Sequence, residues 1–174
     1  MSDGKILYAK LGTNYVLKFV GDIRYTICVP LSNFISSLRG LGGYNNILVD
    51  LSEAQSIDST NLGLLAQVAN IMHERFRGRP ILISRNENVL RTLDTVGFFE
   101  IFTVDAGDGY PVANMHLLSQ EITTEKEMTT AILEAHRILS ELNDTNHEMF
   151  QQVVEDLEAD AENAERRDHK PDCP

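Results

Sequence analysis

Residues 46–76 read NILVDLSEAQSIDSTNLGLLAQVANIMHERF. The opening NILVDL is a compact apolar run with β-branched residues, as a buried central strand requires. The following QSIDST is polar. From Leu62 onward, Leu62, Leu65, Ala69, Met72 and Phe76 are spaced 3, 4, 3 and 4, while Leu64, Val68 and Ile71 widen the stripe into a broad apolar face. A strand, a short loop and a largely covered helix therefore follow one another within about 30 residues, the unit from which α/β folds are built. On this pattern Ser59 is the N-cap, because a serine ahead of an apolar helical run can accept a hydrogen bond from a first-turn amide, worth about 1 kcal/mol. At the other end Arg75 and Arg77 suit the negative end of the helix dipole, and Gly78 is the expected stop.

Working outward, KILYAKLG and NYVLKFVGD are two strands about the turn residues Gly12, Thr13 and Asn14, a hairpin. Between Thr26 and Leu38 the apolar residues recur at helical spacing, with Pro30 acceptable only in a first turn. Three glycines in RGLGGYNN follow that helix and precede a strand, the reverse of a phosphate-binding loop, so they are a turn. RPILIS is a further buried strand. NENVLRTLDTVGFFEIFTV predicts a helix broken at Gly97 and then a strand around Glu100 to Val104. The order ββαβαβαβ predicts an α/β fold, a mixed β-sheet with helices packed on it and right-handed crossovers between parallel strands.

This unit spans residues 1–105, and 106–125, rich in Gly, Asp and Pro at its start, reads as a linker. Over 126–165 the residues Met128, Ile132, Ala135, Leu139, Leu142, Met149, Val153 and Leu157 follow a 3.5-residue seam that includes Asn146. They predict an acidic amphipathic helical extension, either one long helix or two broken near NDTN, which docks on its own domain or joins two copies as a homodimer. Residues 166–174 are expected to be disordered.

The net charge of −11 is uneven: residues 1–120 carry 10 basic and 11 acidic side chains, and residues 121–174 carry 5 and 15. With no cluster of Lys and Arg, the chain is unsuited to nucleic acid or an anionic membrane surface, and a protein partner is expected. No apolar stretch approaches the roughly 20 residues of a membrane helix, and MSDGKILYAK has no signal-peptide apolar segment, so a cytoplasmic protein is expected. Cys28 and Cys173 are unlike a disulfide framework, and His73, His116, His136, His147 and His169 show no metal-ligand spacing and read as scattered surface or core histidines. No nucleophile elbow or locally spaced triad is present; the sequence implies no enzyme, cofactor or metal.

ILVDLSEAQSIDSTNLGLLAQV resembles the strand, loop and D-S-[ST]-G-L-G helix start of the STAS domain, in particular of bacterial anti-sigma factor antagonists. LKFVGDI is similar to that family's G-[ED]-[IL]-D turn, and VLRTLDTVGFFEIF to its late helix and L-x-x-x-G-[LF] ending, so the resemblance covers about residues 4–105. Asp58 matches the motif acid and Ser59 the serine presented for phosphorylation, with Thr60 beside it. Asn61 stands where the motif has its first glycine, Gly63 keeps the second, and Arg24 replaces the Asp of the earlier turn.

The resemblance implies partner switching. Unphosphorylated protein binds an anti-sigma factor or kinase partner through Asp22, Arg24, Asp58, Ser59, Thr60, Asn61 and Gly63. A serine kinase modifies Ser59, a metal-dependent phosphatase of the PPM type restores it, and transcription is regulated through the released sigma factor. A constitutive STAS accessory subunit of a membrane transporter or lipid-export complex is the alternative that the same resemblance allows.

Overall fold

A computed structural model of the chain describes residues 3–111, 113–119 and 122–168. The hairpin forms from β1 (Lys5–Leu11) and β2 (Asn14–Ile23), and a single 3-10 turn at Tyr25–Ile27 leads into α1 (Cys28–Leu38). Next come β3 (Asn46–Ile57), α2 (Ser59–Phe76), β4 (Ile81–Ile83) and α3 (Glu87–Thr95). The strand expected around Glu100 to Val104 is shifted: Gly97, at φ 78°, opens a one-turn helix α4 (Phe98–Ile101), and the strand β5 is Thr103–Asp105. Phe98 and Phe102 stack at 5.2 Å and are buried, which anchors that turn.

β2, β3, β4 and β5 are parallel neighbours, whereas β1 is antiparallel to β2. The expected linker holds a further strand, β6 (His116–Leu117), antiparallel to β1, so the sheet order is β5-β4-β3-β2-β1-β6. Pairing with β6 satisfies part of an edge that β1 would otherwise leave open.

Alternation along the central strands gives the sheet two covered faces. Leu17, Phe19, Ile47, Val49 and Leu51 belong to the main core with α1 and α2. Lys18 and Asp50, adjacent across β2 and β3, point the other way and are almost wholly buried. Lys18 Nζ lies 3.3 Å from Asp50 Oδ2 and 2.8 Å from Glu53 Oε1, and donates to Tyr110 O at 2.7 Å. Asp50 in turn accepts from the amides of Tyr110 at 2.6 Å and Ser52 at 2.9 Å. The segment after β5 is thus a strap over the second face. It passes so close that a Cβ at Gly109, which has φ 76°, would lie 2.2 Å from Ser52 Oγ.

Two helix ends differ from expectation. α2 stops at Arg77, which takes the left-handed conformation at φ 55° in place of Gly78. Arg75, expected to serve its own helix dipole, reaches the end of α1 and donates to Leu38 O at 2.6 Å and Leu41 O at 2.9 Å.

The extension is two helices, α5 (Glu125–Ser140) and α6 (Asp144–Asp168), separated at Glu141–Asn143. A capping box of Thr124 and Glu127 starts α5, and Asn146 fixes the bend by donating to Val96 O and Leu139 O, both at 3.0 Å. α5 lies along α2 and touches α1, burying Ala131, Ala135 and Leu139. The seam therefore splits: its α5 half is spent on the domain, while Met149 and Val153 of α6 stay exposed. Helix α6 continues through Asp168, into the segment expected to be disordered, whose residues 169–174 lie outside the described residues.

Burial raises the Asp50 carboxyl, but the Ser52 and Tyr110 hydrogen bonds and the Lys18 charge outweigh it, so Asp50 titrates below the usual carboxylate range. A depressed carboxylate stabilises the fold fully above the unfolded-state value of about 3.9 and loses that contribution as pH falls through the folded-state value. Lys18→Met strands the Asp50 charge and is expected to destabilise by about 3–5 kcal/mol in urea unfolding. The double replacement Lys18→Met with Asp50→Leu should recover most of it, and should remove part of the stability loss below about pH 4.

Candidate functional site

Ser59 sits where two parallel strands end together. Asp22 pairs with Ser56 and Ile23 with Ile57 in the β2–β3 register, and the Asp58 amide then donates to Ile23 O at 3.1 Å. Ser56 Oγ donates to Asp22 Oδ1 at 2.7 Å, a second stitch between the two strand ends. The chain leaves β3 with no slack, so the first turn of α2 is held against the turn that follows β2.

The N-cap is Asp58, with extended φ −87° and ψ 169°; its Oδ1 accepts from Asn61 N at 3.0 Å and from Asn61 Nδ2 at 2.9 Å. Ser59, expected to be the cap, is the first helical residue. The one-residue difference matters chemically. A capping serine has its hydroxyl committed to a backbone amide, whereas Ser59 Oγ is partnered by His136 Nε2 at 2.9 Å. His136 Nδ1 lies 2.8 Å from Ile132 O, an acceptor only, so Nδ1 carries a proton. In the neutral ring Nε2 is then the acceptor, and the Ser59 hydroxyl donates to it.

Helix α5 reaches Ser59 because Gly63 has no side chain. A Cβ there would lie 2.0 Å from Ala135 O, so the two helices approach at backbone distance. The Cys28 thiol at the start of α1 is enclosed by the same helix, with Sγ 3.5 Å from Met128 Sδ. Burial, assisted by the Asp58 charge, pushes that thiol up to about 11, which keeps it protonated and unreactive at neutral pH.

Among the residues assigned to partner binding, Asp22, Arg24, Asp58 and Ser59 gather at the strand ends, with Arg24 exposed and the other three partly accessible. Thr60, Asn61 and Gly63 are enclosed. Asn61 is fully buried, and its Oδ1 has no hydrogen-bond partner among the described residues. Tyr25, 51% exposed beside Arg24, joins the open part of this surface and carried no sequence signal. His136 was also missed. It lies 77 residues from Ser59 in sequence, and only the small Ala135 facing a glycine at position 63 hinted that the two helices meet. No group of three or more His, Cys, Asp or Glu is arranged to hold a metal ion among the described residues, and no helix there is long and apolar enough to cross a membrane.

The sequence profile of the STAS domain matches residues 6–108. No curated protein matches the chain. Among solved structures, the anti-sigma factor antagonist SpoIIAA in its unphosphorylated form superposes with a TM-score of 0.52 at 16% identity, covering 60% of this chain and 90% of that one. An anti-sigma factor antagonist from Mycobacterium paratuberculosis gives a TM-score of 0.49 at 18% identity, with 60% and 87% covered. The Bacillus cell fate determinant SpoIIAA in its phosphorylated form gives 0.49 at 15%, with 60% and 93% covered. The likeness to unphosphorylated SpoIIAA establishes a shared fold. α5 and α6 lie beyond the profile match.

The cap assignment is open to measurement. Asp58→Ala removes the acceptor of the Asn61 amide and is expected to cost about 1 kcal/mol in chemical unfolding, while Asp58→Asn should lose only a few tenths.

Proposed function

Because this chain belongs to the STAS domain family, we propose that it is an anti-sigma factor antagonist whose partner binding is controlled by phosphorylation of Ser59. The observation that carries this reading is the position of the Ser59 hydroxyl: on the first turn of α2, at the joined ends of β2 and β3, within the motif Asp58-Ser59-Thr60. The fold shared with SpoIIAA supports it, since that protein is an anti-sigma factor antagonist with a phosphorylated form.

The site itself has the chemistry of an acceptor. A kinase outside this chain would transfer the γ-phosphoryl of ATP: the Ser59 Oγ–P bond forms, the bond to ADP breaks, and the hydroxyl proton leaves to a base. Hydrolysis by a metal-dependent phosphatase reverses it. At neutral pH the phosphate brings about −1.5 to −2 charge to a helix N-terminus, which tolerates an anion, so the fold survives the modification. The partner surface does not, because it already carries Asp22 and Asp58, and a dianion among them must be desolvated and repels any facing carboxylate. Arg24 and Tyr25 supply the exposed cation and aromatic anchor of that surface.

The test is the affinity of an anti-sigma factor, recovered with the native chain, for two variants. Ser59→Ala should bind at least as well as the unmodified protein, and Ser59→Asp should bind weaker by about 2 kcal/mol, roughly thirtyfold in Kd. Equal affinities would reject control at Ser59.

A further inference from the structure

The extension that lies outside the family match is not placed at random: it leaves Ser59 partly accessible but engages its hydroxyl through His136. We propose that α5, braced by α6, is a gate over Ser59 that must lift before the hydroxyl can be modified, and that a phosphate on Ser59 then holds the gate open. This inference rests on the reading of Ser59 as a phosphorylation site.

Three observations carry it. First, the closed contact is at backbone distance, since Gly63 meets the carbonyl of Ala135 where no side chain fits. Helix α5 cannot settle closer or slide over an added group there; it is seated or it is off. Second, the contact to Ser59 uses the proton that phosphorylation removes. The hydroxyl donates to His136 Nε2 across 2.9 Å. Once esterified, Oγ has no hydrogen to give, so the present Oγ–Nε2 contact cannot re-form, and the bulk of a phosphoryl group is added where α5 packs on the start of α2. Third, the closed state is not held by a perfected polar lock. Asn146, which pins the α5–α6 bend to Val96 O, has its own Oδ1 buried without a partner among the described residues, an acceptor that water recovers when the hairpin lifts.

Modification and opening are therefore linked in both directions. Whatever closure costs the phosphoserine state, it costs the kinase as well, because linkage between two equilibria is reciprocal. The family's switch would here acquire a second input, namely anything that binds or displaces the α5–α6 pair.

The chain contains its own reporter of the gate. The Cys28 thiol is fully buried with its Sγ 3.5 Å from Met128 Sδ of α5, so lifting of α5 strips part of its cover and should let an alkylating reagent reach it faster. Iodoacetamide labelling of the full-length protein is followed by mass spectrometry of the Cys28 peptide, separately from Cys173. The samples are the unmodified chain, the chain with phosphoserine installed at position 59 during translation, Gly63→Ala and His136→Ala. Labelling of Cys28 is expected to be slow in the unmodified chain and faster by about tenfold or more in the other three, within the range typical of coupling between sites. All should keep one cooperative thermal transition.

Cys28 labelling in the phosphoserine protein at the unmodified rate would overturn the proposal, whether or not Gly63→Ala labels faster. Should Gly63→Ala fail to fold, the phosphoserine protein and His136→Ala decide. Failure of the underlying reading is distinguishable. It would show as native protein without phosphate on Ser59 and equal partner affinity of the Ala and Asp variants, neither of which bears on labelling of protein carrying installed phosphoserine.

Discussion

Strands β2 and β3 run parallel from the Asn14–Asn46 pair to the Ile23–Ile57 pair, and the rest of the molecule hangs on that ladder. Its interior faces the helices with Leu17, Phe19, Val49 and Leu51, which is where most of the apolar burial that stabilises the fold is gathered. Its opposite face holds Lys18 against Asp50, and that pair draws the segment after β5 across the sheet. Its far end brings Asp22 to Ser56, and the next residues of each chain segment become the turn before α1 and the first turn of α2. A shift of one residue in this register would invert both faces and separate the two halves of the site at once.

Ser59 is thus held to the sheet on one side and meets α5 on the other. Hydrogen bonds from Ser56 and Asp58 fix Ser59 relative to the sheet. Its remaining neighbour, His136, arrives on a helix whose hold depends on one glycine, a few alanines and leucines, and the Asn146 bend. On the gate proposal, α5 would open locally even though Ala131, Ala135 and Leu139 pack in the main core. If Ser59 is the partner site proposed above, an external partner and α5 would both meet the start of α2. Helix α6 adds acidity and leaves Met149 and Val153 exposed.

The fold was legible because its signals are local. The apolar run Ile47–Leu51 and the stripe from Leu62 to Phe76 each declare one element and one buried face, and the alternation of such segments orders them into an α/β sheet. Boundaries shifted where one residue's conformation settled the matter. Asp58 outcompeted Ser59 as cap because its carboxylate reaches the Asn61 amide, and Arg77 took the left-handed position that Gly78 was expected to fill. The segment read as a linker carries β6 and the strap, both of which exist only because other parts of the chain offer them an edge strand and a buried ion pair.

By itself the sequence determined the class of the fold, the central strand and helix, the acidic extension and the serine in its motif, since each is encoded in neighbouring residues. It also determined that the extension would be helical and amphipathic, because periodicity needs no partner to be read. What the apolar stripe would meet was decided only in three dimensions. Docking of α5 on α2 depends on a missing side chain at Gly63, a carbonyl at Ala135 and a hydrogen bond between residues 59 and 136. No local pattern encodes a contact across 77 residues, and that contact converts a serine at the start of a helix into one whose hydroxyl is engaged by a second helix.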